Sequence, residues 1–434
     1  MKIGILGGGI TGVALQHFLE HDSVVLEAAD QPGGLCRTYF KDGFGYDIGG
    51  HILFSKNERV NAFVDELLAG NLNQCRRANK ILYGGKYVKY PFENDLSSLP
   101  PEDNYECLMG YLKNDFDGDV KNLRDWSYAT FGAAISEKYF LPYNEKIWNI
   151  APEELGLDFV ERIPKPPVED VVRSALGIET EGYLHQLYFR YPTRGGAESM
   201  VTGLIDDDSA IVCNYTIRSI RRDGDGWQVS DGETTHEFDH IIVSFPIHNA
   251  IRCFEAVPDE IASAVDDLRY NSIRVVLVAV DNESLMDKSA IYIPDPTVVM
   301  HRVCFMGFFS QELVRPGTSS LIAEVTTNPG DGVHELDDEE LTRRVVEDAE
   351  RIGILNAKDV IVTDVRREPY AYPVYTLSYR KNRATLHRYF NELGVDLCGR
   401  FAEFDYINSD ECLNRAMTLA DRLNGLEARS DAPA

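Results

Sequence analysis

Apolar positions near the start of the chain fall into two short runs that flank a helical pattern. Ile3 to Leu6 is a continuous apolar run, as expected of a strand buried on both faces. The next residues space their apolar positions as an amphipathic helix that runs to about Leu19, and "SVVLE" is a second strand ending at Glu27. Much later, "HEFDHIIVSFP" (His236 to Pro246) reads as a further buried strand. It follows "GWQVSDGETTHEF", which carries an Asp-Gly hairpin signal. Between Asn94 and about Gly182 the spacing is helical. From Ile251 to about Val362, β-branched alternation returns in "IRVVLVAV", "AIYIPD" and "SSLIAEVTT", with "DEELTRRVVEDAERIG" predicted as a helix. Near the end, "VDLCGRFAEFDYINSDECLNRAMTLADRL" predicts a strand, a glycine turn and a helix, and the tail "EARSDAPA" is expected to fray. There is no internal repeat.

The first turn carries chemistry. Gly7, Gly9 and Gly12 form GxGxxG between strand and helix, and Glu27 closes the second strand at the spacing expected of a ribose-binding acid. Gly7 allows the tight turn, Gly9 lets a pyrophosphate approach the backbone, and Gly12 lets helix and strand pack closely. Ile10 and Thr11 open the helix, whose free N–H groups suit an anion. Strand, glycines, helix, strand and acid in register predict a dinucleotide site. The following "EAADQPGGLCRT" sets Gly33, Gly34, Leu35 and Arg37 just past Glu27. This resembles the extended FAD signature of the glutathione-reductase-like flavoproteins. In that group the last strand and helix return to cover the flavin, which here implicates Gly399, Arg400 and Asp410.

Length and composition narrow the class. A chain of 434 residues with 44% hydrophobic content is long enough for two or three domains. No run of about 18 apolar residues appears, so no membrane span is expected. "MKIGILGGG" goes straight into a strand, with no signal-peptide pattern, and a cytoplasmic location is expected. The formal charge of −27 opposes nucleic acid and anionic membranes as partners. On so acidic a chain, any local cluster of arginines needs a reason. The eight cysteines lack CxxC spacing and the histidines lack ligand spacing, so no metal site is predicted.

The stretch "LPYNEKIWNIAPEELGLDFVERIPKPP" (Leu141 to Pro167) is too polar for a core helix and too aromatic for an idle loop. With "GYDIGGHILF", "KYPFENDLSSLP", "FRYPTRGG", "VMHRVCF", "EPYAYPVYT" and "GRFAEFDY", it resembles the UDP-galactopyranose mutases, in a blend of their bacterial and fungal patterns, over nearly the whole chain. The resemblance implies an isomerase in which reduced FAD is a nucleophile. Its N5 bonds the anomeric carbon of a nucleotide sugar, the diphosphate leaves, and the sugar recloses as a furanose. NADH or NADPH is the implied reductant, a nucleotide-diphosphate sugar the implied partner, and a homo-oligomer an open expectation.

On that resemblance the departing diphosphate meets Arg162, on a mobile loop, and Arg302, whose place in an apolar strand calls for an anionic partner. Tyr372 and Tyr406 supply hydroxyls, Arg400 stands near the sugar or flavin, and His51, after Gly50, bonds near flavin N5. Tyr90, Phe92 and Glu93 contact the nucleobase, and Tyr143, Asn144 and Trp148 line the nucleotide slot. Two positions depart from the fungal pattern: Glu93 stands for Gln, and Phe309 for Tyr.

The expected fold class is α/β, with a discontinuous Rossmann-like FAD-binding domain (1–50, 196–250 and 390–434), a helical domain with the mobile loop (95–185), and an antiparallel-sheet substrate domain (51–94, 186–195 and 251–389). The competing expectation is an FAD-dependent oxidase or desaturase of the amine-oxidase or protoporphyrinogen-oxidase type, which shares the scaffold. Many amine oxidases place a Lys near flavin N5, and "MHRVCF" contains none.

Overall fold

The apolar run Ile3 to Leu6 lies inside strand Lys2–Leu6, at the centre of a parallel sheet, in a computed structural model that describes residues 1–180 and 187–425. Its neighbours are Asp22–Leu26 on one side and His240–Val243 on the other, with Ile211–Val212 and Asp396–Leu397 at the edges. Five strands gathered from both ends and the middle of the chain thus make one sheet. Helix Ile10–Phe18 packs on it with Ile10, Val13, Ala14 and Leu15 buried, against helix Ser409–Leu423. The expected tail and the end of the helical stretch at Gly182 lie outside the described residues.

A second sheet of seven strands is built around Tyr270–Val280, Ser319–Thr327 and Val360–Pro373. Its pairs are antiparallel with one exception: Ala290–Tyr292 runs parallel to Asn79–Ile81. The expected antiparallel sheet is thus present, with one parallel pair near its edge. The parallel pair forms because the early hairpin Asn79–Tyr83 and Lys86–Lys89 joins the sheet edge from a distant part of the chain.

The helical stretch contains helices Pro101–Leu112, Leu123–Ile135, Leu141–Trp148 and Val168–Ala175. The first two meet closely at Gly132, whose φ is +75° and whose added Cβ would lie 2.2 Å from the Gly110 carbonyl oxygen. Only glycine satisfies both conditions. Among the described residues no helix is long and apolar enough to cross a membrane.

A buried carboxylate ties together two small two-stranded sheets, Thr38–Lys41 with Phe44–Asp47 and Leu72–Arg76 with Tyr188–Pro192. Asp47 accepts hydrogen bonds from Thr38 Oγ1 (2.6 Å), Tyr191 OH (2.5 Å) and the Ala197 N–H (3.3 Å). Burial pushes its pKa up to about 6, against the pull of these donors. Asp47→Ala is expected to cost roughly 2–4 kcal/mol, because it leaves three donors unpaired in a dry site. Chemical denaturation should give a lower midpoint with an unchanged slope; an unchanged midpoint would remove this role.

Candidate active site

The glycine turn sits at one end of a cavity of about 820 Å³ that runs from the parallel sheet to the seven-stranded sheet. Gly7 adopts φ +111°, and an added Cβ would fall 2.9 Å from the Phe245 backbone nitrogen. At Gly12 an added Cβ would fall 1.9 Å from the Gly7 carbonyl oxygen, so helix and turn touch. At Gly9 it would meet nothing within 4 Å, so the backbone there opens on the cavity. The helix that follows has no side-chain cap and no acid in its first turn. Its exposed N–H dipoles are thus left for an anion, with Ile10 and Thr11 lining the space. Glu27 accepts from the N–H groups of Gly8 (2.6 Å) and Ala29 (2.8 Å) and lines the same cavity. Gly34 and Leu35 close over the turn, as an added Cβ on Gly34 would lie 3.2 Å from Gly9 Cα. Gly399 packs on Thr11, where an added Cβ would meet Oγ1 at 2.8 Å. An open glycine, an uncapped helix and an acid on the next strand fit a dinucleotide pyrophosphate and its ribose.

Two expected cofactor residues point elsewhere. Arg37 lies under the Gly33 turn, reaches Asp30 at 3.2 Å and sits over the Tyr39 ring. Asp410 is in the first turn of helix Ser409–Leu423, where burial raises its pKa and a Ser55 hydrogen bond opposes the rise. Its neighbours Asn408, Ser409 and Cys412 line the cavity instead.

At the other end stand Arg302, Tyr372, Arg400, Tyr406, Arg162, Gly50, His51 and Tyr90. The anionic partner of Arg302 is a residue of the protein itself. Strands Arg302–Phe305 and Ser319–Thr327 pair with Arg302 opposite Glu324, and Nε and Nη2 reach its two carboxylate oxygens at 2.9 and 2.6 Å. Glu324 is fully buried. Burial alone would raise its carboxyl; Arg302, with His301, outweighs that and holds it below the usual range. Tyr372 OH also donates to Glu324, at 3.4 Å. Arg400 donates to the Ala371 carbonyl at 2.6 Å and lies over the rings of Tyr372 and Tyr406. Arg162 donates to the Tyr406 carbonyl and to Asn408 Oδ1 (3.2 Å), with its guanidinium over the Tyr406 ring. Burial first, and then the Arg400 charge, push the His51 pKa down to about 4, so its imidazole is neutral near pH 7.

The first part of the stretch Leu141 to Pro167 is a helix, Leu141–Trp148, that backs the cavity. Trp148 Nε1 donates to Asn144 Oδ1 (3.1 Å) and Asn144 Nδ2 to the Phe140 carbonyl (2.8 Å), so these two polar groups satisfy each other. The Trp148 ring meets Tyr372 and Tyr406 edge-on and buttresses both. Tyr143 packs edge-on against Tyr292, which lines the cavity beside Tyr90. The slot expected from Tyr143, Asn144 and Trp148 is therefore a second layer behind the wall. Phe92 is wholly buried and stacked on Tyr139. Glu93 is buried beside it and does not line the cavity; burial pushes its pKa up to about 7.

Sequence reasoning missed Glu324, Arg77, Asn79 and Tyr292. A lone acid inside "SSLIAEVTT" was a signal for Glu324, since a buried charge needs a partner. Asn79 opens the early hairpin strand that the parallel pairing carries to the cavity wall, Arg77 lies in the connection just before it, and no local pattern marks either.

Comparison with known proteins matches residues 10–399 to the flavin containing amine oxidoreductase family. Among solved structures, reduced UDP-galactopyranose mutase superposes with a TM-score of 0.90 at 22% identity, covering 98% of this chain and 94% of that one. A provisionally named protoporphyrinogen oxidase from Exiguobacterium sp. 255-15 superposes at 0.78, with 18% identity and 98% and 99% coverage. At these identities the likeness is one of fold. All-trans-retinol 13,14-reductase of Danio rerio is 27% identical over 28% of this chain, and the chain spans 20% of its length. An uncharacterized protein from the nifH2 3′ region of Methanothermococcus thermolithotrophicus is 44% identical over 13% of this chain, which spans 59% of it.

Glu93 yields a prediction with a definite sign. Its folded pKa of about 7 lies above the ordinary 4.5, so between these values the folded state holds a proton that the unfolded state has lost. Its contribution to stability falls as pH rises through that window and is flat above it. Glu93→Gln keeps the shape of the neutral acid and should stabilise the protein above pH 7 by on the order of 3 kcal/mol. The gain should vanish near pH 4. Equal melting temperatures for both proteins at pH 8 would contradict this.

Proposed function

Because the chain belongs to the flavin-containing amine oxidoreductase family, we propose that this flavoenzyme is an FAD-dependent nucleotide-sugar mutase that interconverts pyranose and furanose forms, most simply of UDP-galactose. The observation that carries the reading is the charge of the cavity. Five arginines (Arg77, Arg162, Arg252, Arg302 and Arg400) and two glutamates (Glu27 and Glu368) line it, in a chain of net charge −27. A cavity positive against so acidic a background selects an anion. The 0.90 superposition on reduced UDP-galactopyranose mutase supports the same reading.

Reduced FAD would supply the nucleophile. The residues of the chain would bind and orient. Gly9, Ile10, Thr11 and Glu27 hold the dinucleotide. Arg302, fixed on Glu324 through Nε and Nη2, keeps Nη1 without a protein hydrogen bond among the described residues. Arg162 approaches from the helical side. The two guanidiniums receive the diphosphate as its charge grows, and Tyr372 and Tyr406 add hydroxyls. Neutral His51 can accept or donate one hydrogen bond beside the reacting atoms without adding charge. NADH or NADPH is the proposed reductant, and the cytoplasm the proposed location.

A second reading, an oxidase or desaturase, has support from the oxidases among the similar folds. Against it, no lysine of the described residues lines the cavity, and the arginines do not suit an apolar or cationic substrate.

The experiment is anaerobic conversion of UDP-galactose, followed by chromatography. Dithionite-reduced protein should convert it over many turnovers, and oxidised protein should be inert. Turnover only in the oxidised state, with one peroxide per product, would establish the second reading.

Arg162→Ala and Arg302→Lys should keep FAD while kcat/KM falls by about 10–100-fold, the loss of one charge-assisted contact. Lys at 302 avoids leaving Glu324 buried without a cation. Wild-type kinetics in both would remove the diphosphate role.

A further inference from the structure

We propose that Tyr375 is a positioning residue for Arg162: its hydroxyl fixes the backbone of Tyr406, and the Tyr406 carbonyl is the point on which Arg162 rests at the cavity wall. The proposal rests on the reading of Arg162 as a diphosphate-binding group.

Arg162 is an exposed side chain at the end of a short turn, Val160–Arg162. A free arginine there would lose much rotameric freedom on meeting a ligand. Its guanidinium is instead already held, by the Tyr406 carbonyl, by Asn408 Oδ1 and over the Tyr406 ring. Its position is therefore only as well defined as that carbonyl.

Tyr375 defines it. The hydroxyl donates to the Asp405 carboxylate and accepts the Tyr406 N–H at 2.6 Å. Asp405 is itself clamped by Arg415 at 2.7 Å. Arg415 also holds Glu403 (2.8 Å), and Glu403 accepts the Gly399 N–H (2.8 Å). The loop that carries both Arg400 and Tyr406 is thus pinned at each end, with Tyr375 at the end that touches Arg162.

The same residue anchors the chain that leads to Arg162. The Tyr375 carbonyl accepts the Gly156 N–H at 2.6 Å, and Leu155 bridges Thr376. One short segment therefore holds both the origin of the Arg162 turn and its landing point. Tyr375 does not line the main cavity; it faces a separate basin of about 430 Å³ with Asp405 and Arg383. Its ring stacks on Tyr379 with centroids 4.0 Å apart, so Tyr375→Phe keeps the packing and removes only the hydroxyl.

The test uses FAD-loaded protein and two readouts. The first needs no substrate: amide hydrogen exchange over Val160 to Ile163, where Arg162 N–H bonds the Phe159 carbonyl and Ile163 N–H the Val160 carbonyl. Tyr375→Phe should speed exchange there by about tenfold, as local opening becomes easier, while the flavin spectrum stays that of the wild type. Unchanged exchange overturns the proposal whatever the enzyme's substrate. The second is a double-mutant cycle in kcat/KM on UDP-galactose. Tyr375→Phe should cost about tenfold in the wild-type background and less than twofold in Arg162→Ala. Equal losses in both backgrounds would make Tyr375 a general structural residue and also overturn the proposal. If UDP-galactose is not turned over at all, the mutase reading fails, and the exchange experiment still decides the role of Tyr375. Should Tyr375→Phe not retain FAD, Asp405→Asn, which weakens the same hydroxyl, is read by the same exchange, with the same two outcomes.

Discussion

An arginine fork on a buried glutamate organises the far end of this cavity. Arg302 and Glu324 face each other across two antiparallel strands, and Glu324 has no contact with solvent. Either charge alone would be costly in that place, and removal of one strands the other. The fork also aims. With Nε and Nη2 spent on Glu324, the guanidinium plane is locked, and its remaining edge is turned to a space that the cofactor turn enters from the opposite end. A preset cation loses little entropy when a second anion arrives, which is the condition for binding energy to favour a charged transition state.

The helical region supports this wall from behind. Asn144 takes the Trp148 indole N–H, and the indole ring packs T-shaped against Tyr372 and Tyr406. Lys146, on the same helix, donates to the carbonyls of Ile293 (3.0 Å) and Asp295 (2.7 Å), next to the strand that bears Tyr292. Aromatic side chains of the wall are thus packed against a layer that does not itself line the cavity. The helical region and the seven-stranded sheet meet here through direct hydrogen bonds, with Arg162 exposed beside them.

Parts of this were legible in the sequence because their logic is local. The glycine turn and Glu27 obey fixed spacings, and the structure brings Gly7, Gly9, Ile10, Thr11 and Glu27 to one cavity. Arg302 was recognisable as a charge in need of a partner, but Glu324 lies 22 residues away, and only strand register puts the two face to face. Asn144 and Trp148 stand four apart, a spacing that already allows an internal helical pair, yet their residue types suggested ligand contacts. Asp410 stands in the first helical turn, where the sequence puts it, but its neighbour Ser409 lines the cavity while Asp410 bonds Ser55. Asn79 was invisible, since a parallel pairing between distant strands delivers it, and Arg77 lies two residues ahead of it in the connection to that strand.

If, as proposed, the cavity holds a diphosphate on preset arginines above a flavin, titration of the FAD-loaded protein with UDP tests it most directly. Flavin fluorescence should report one UDP per chain. The affinity should fall as salt is raised, and should be weaker in Arg302→Lys, which retains its flavin. No UDP binding, or binding that neither salt nor the Arg302 substitution weakens, would contradict the account.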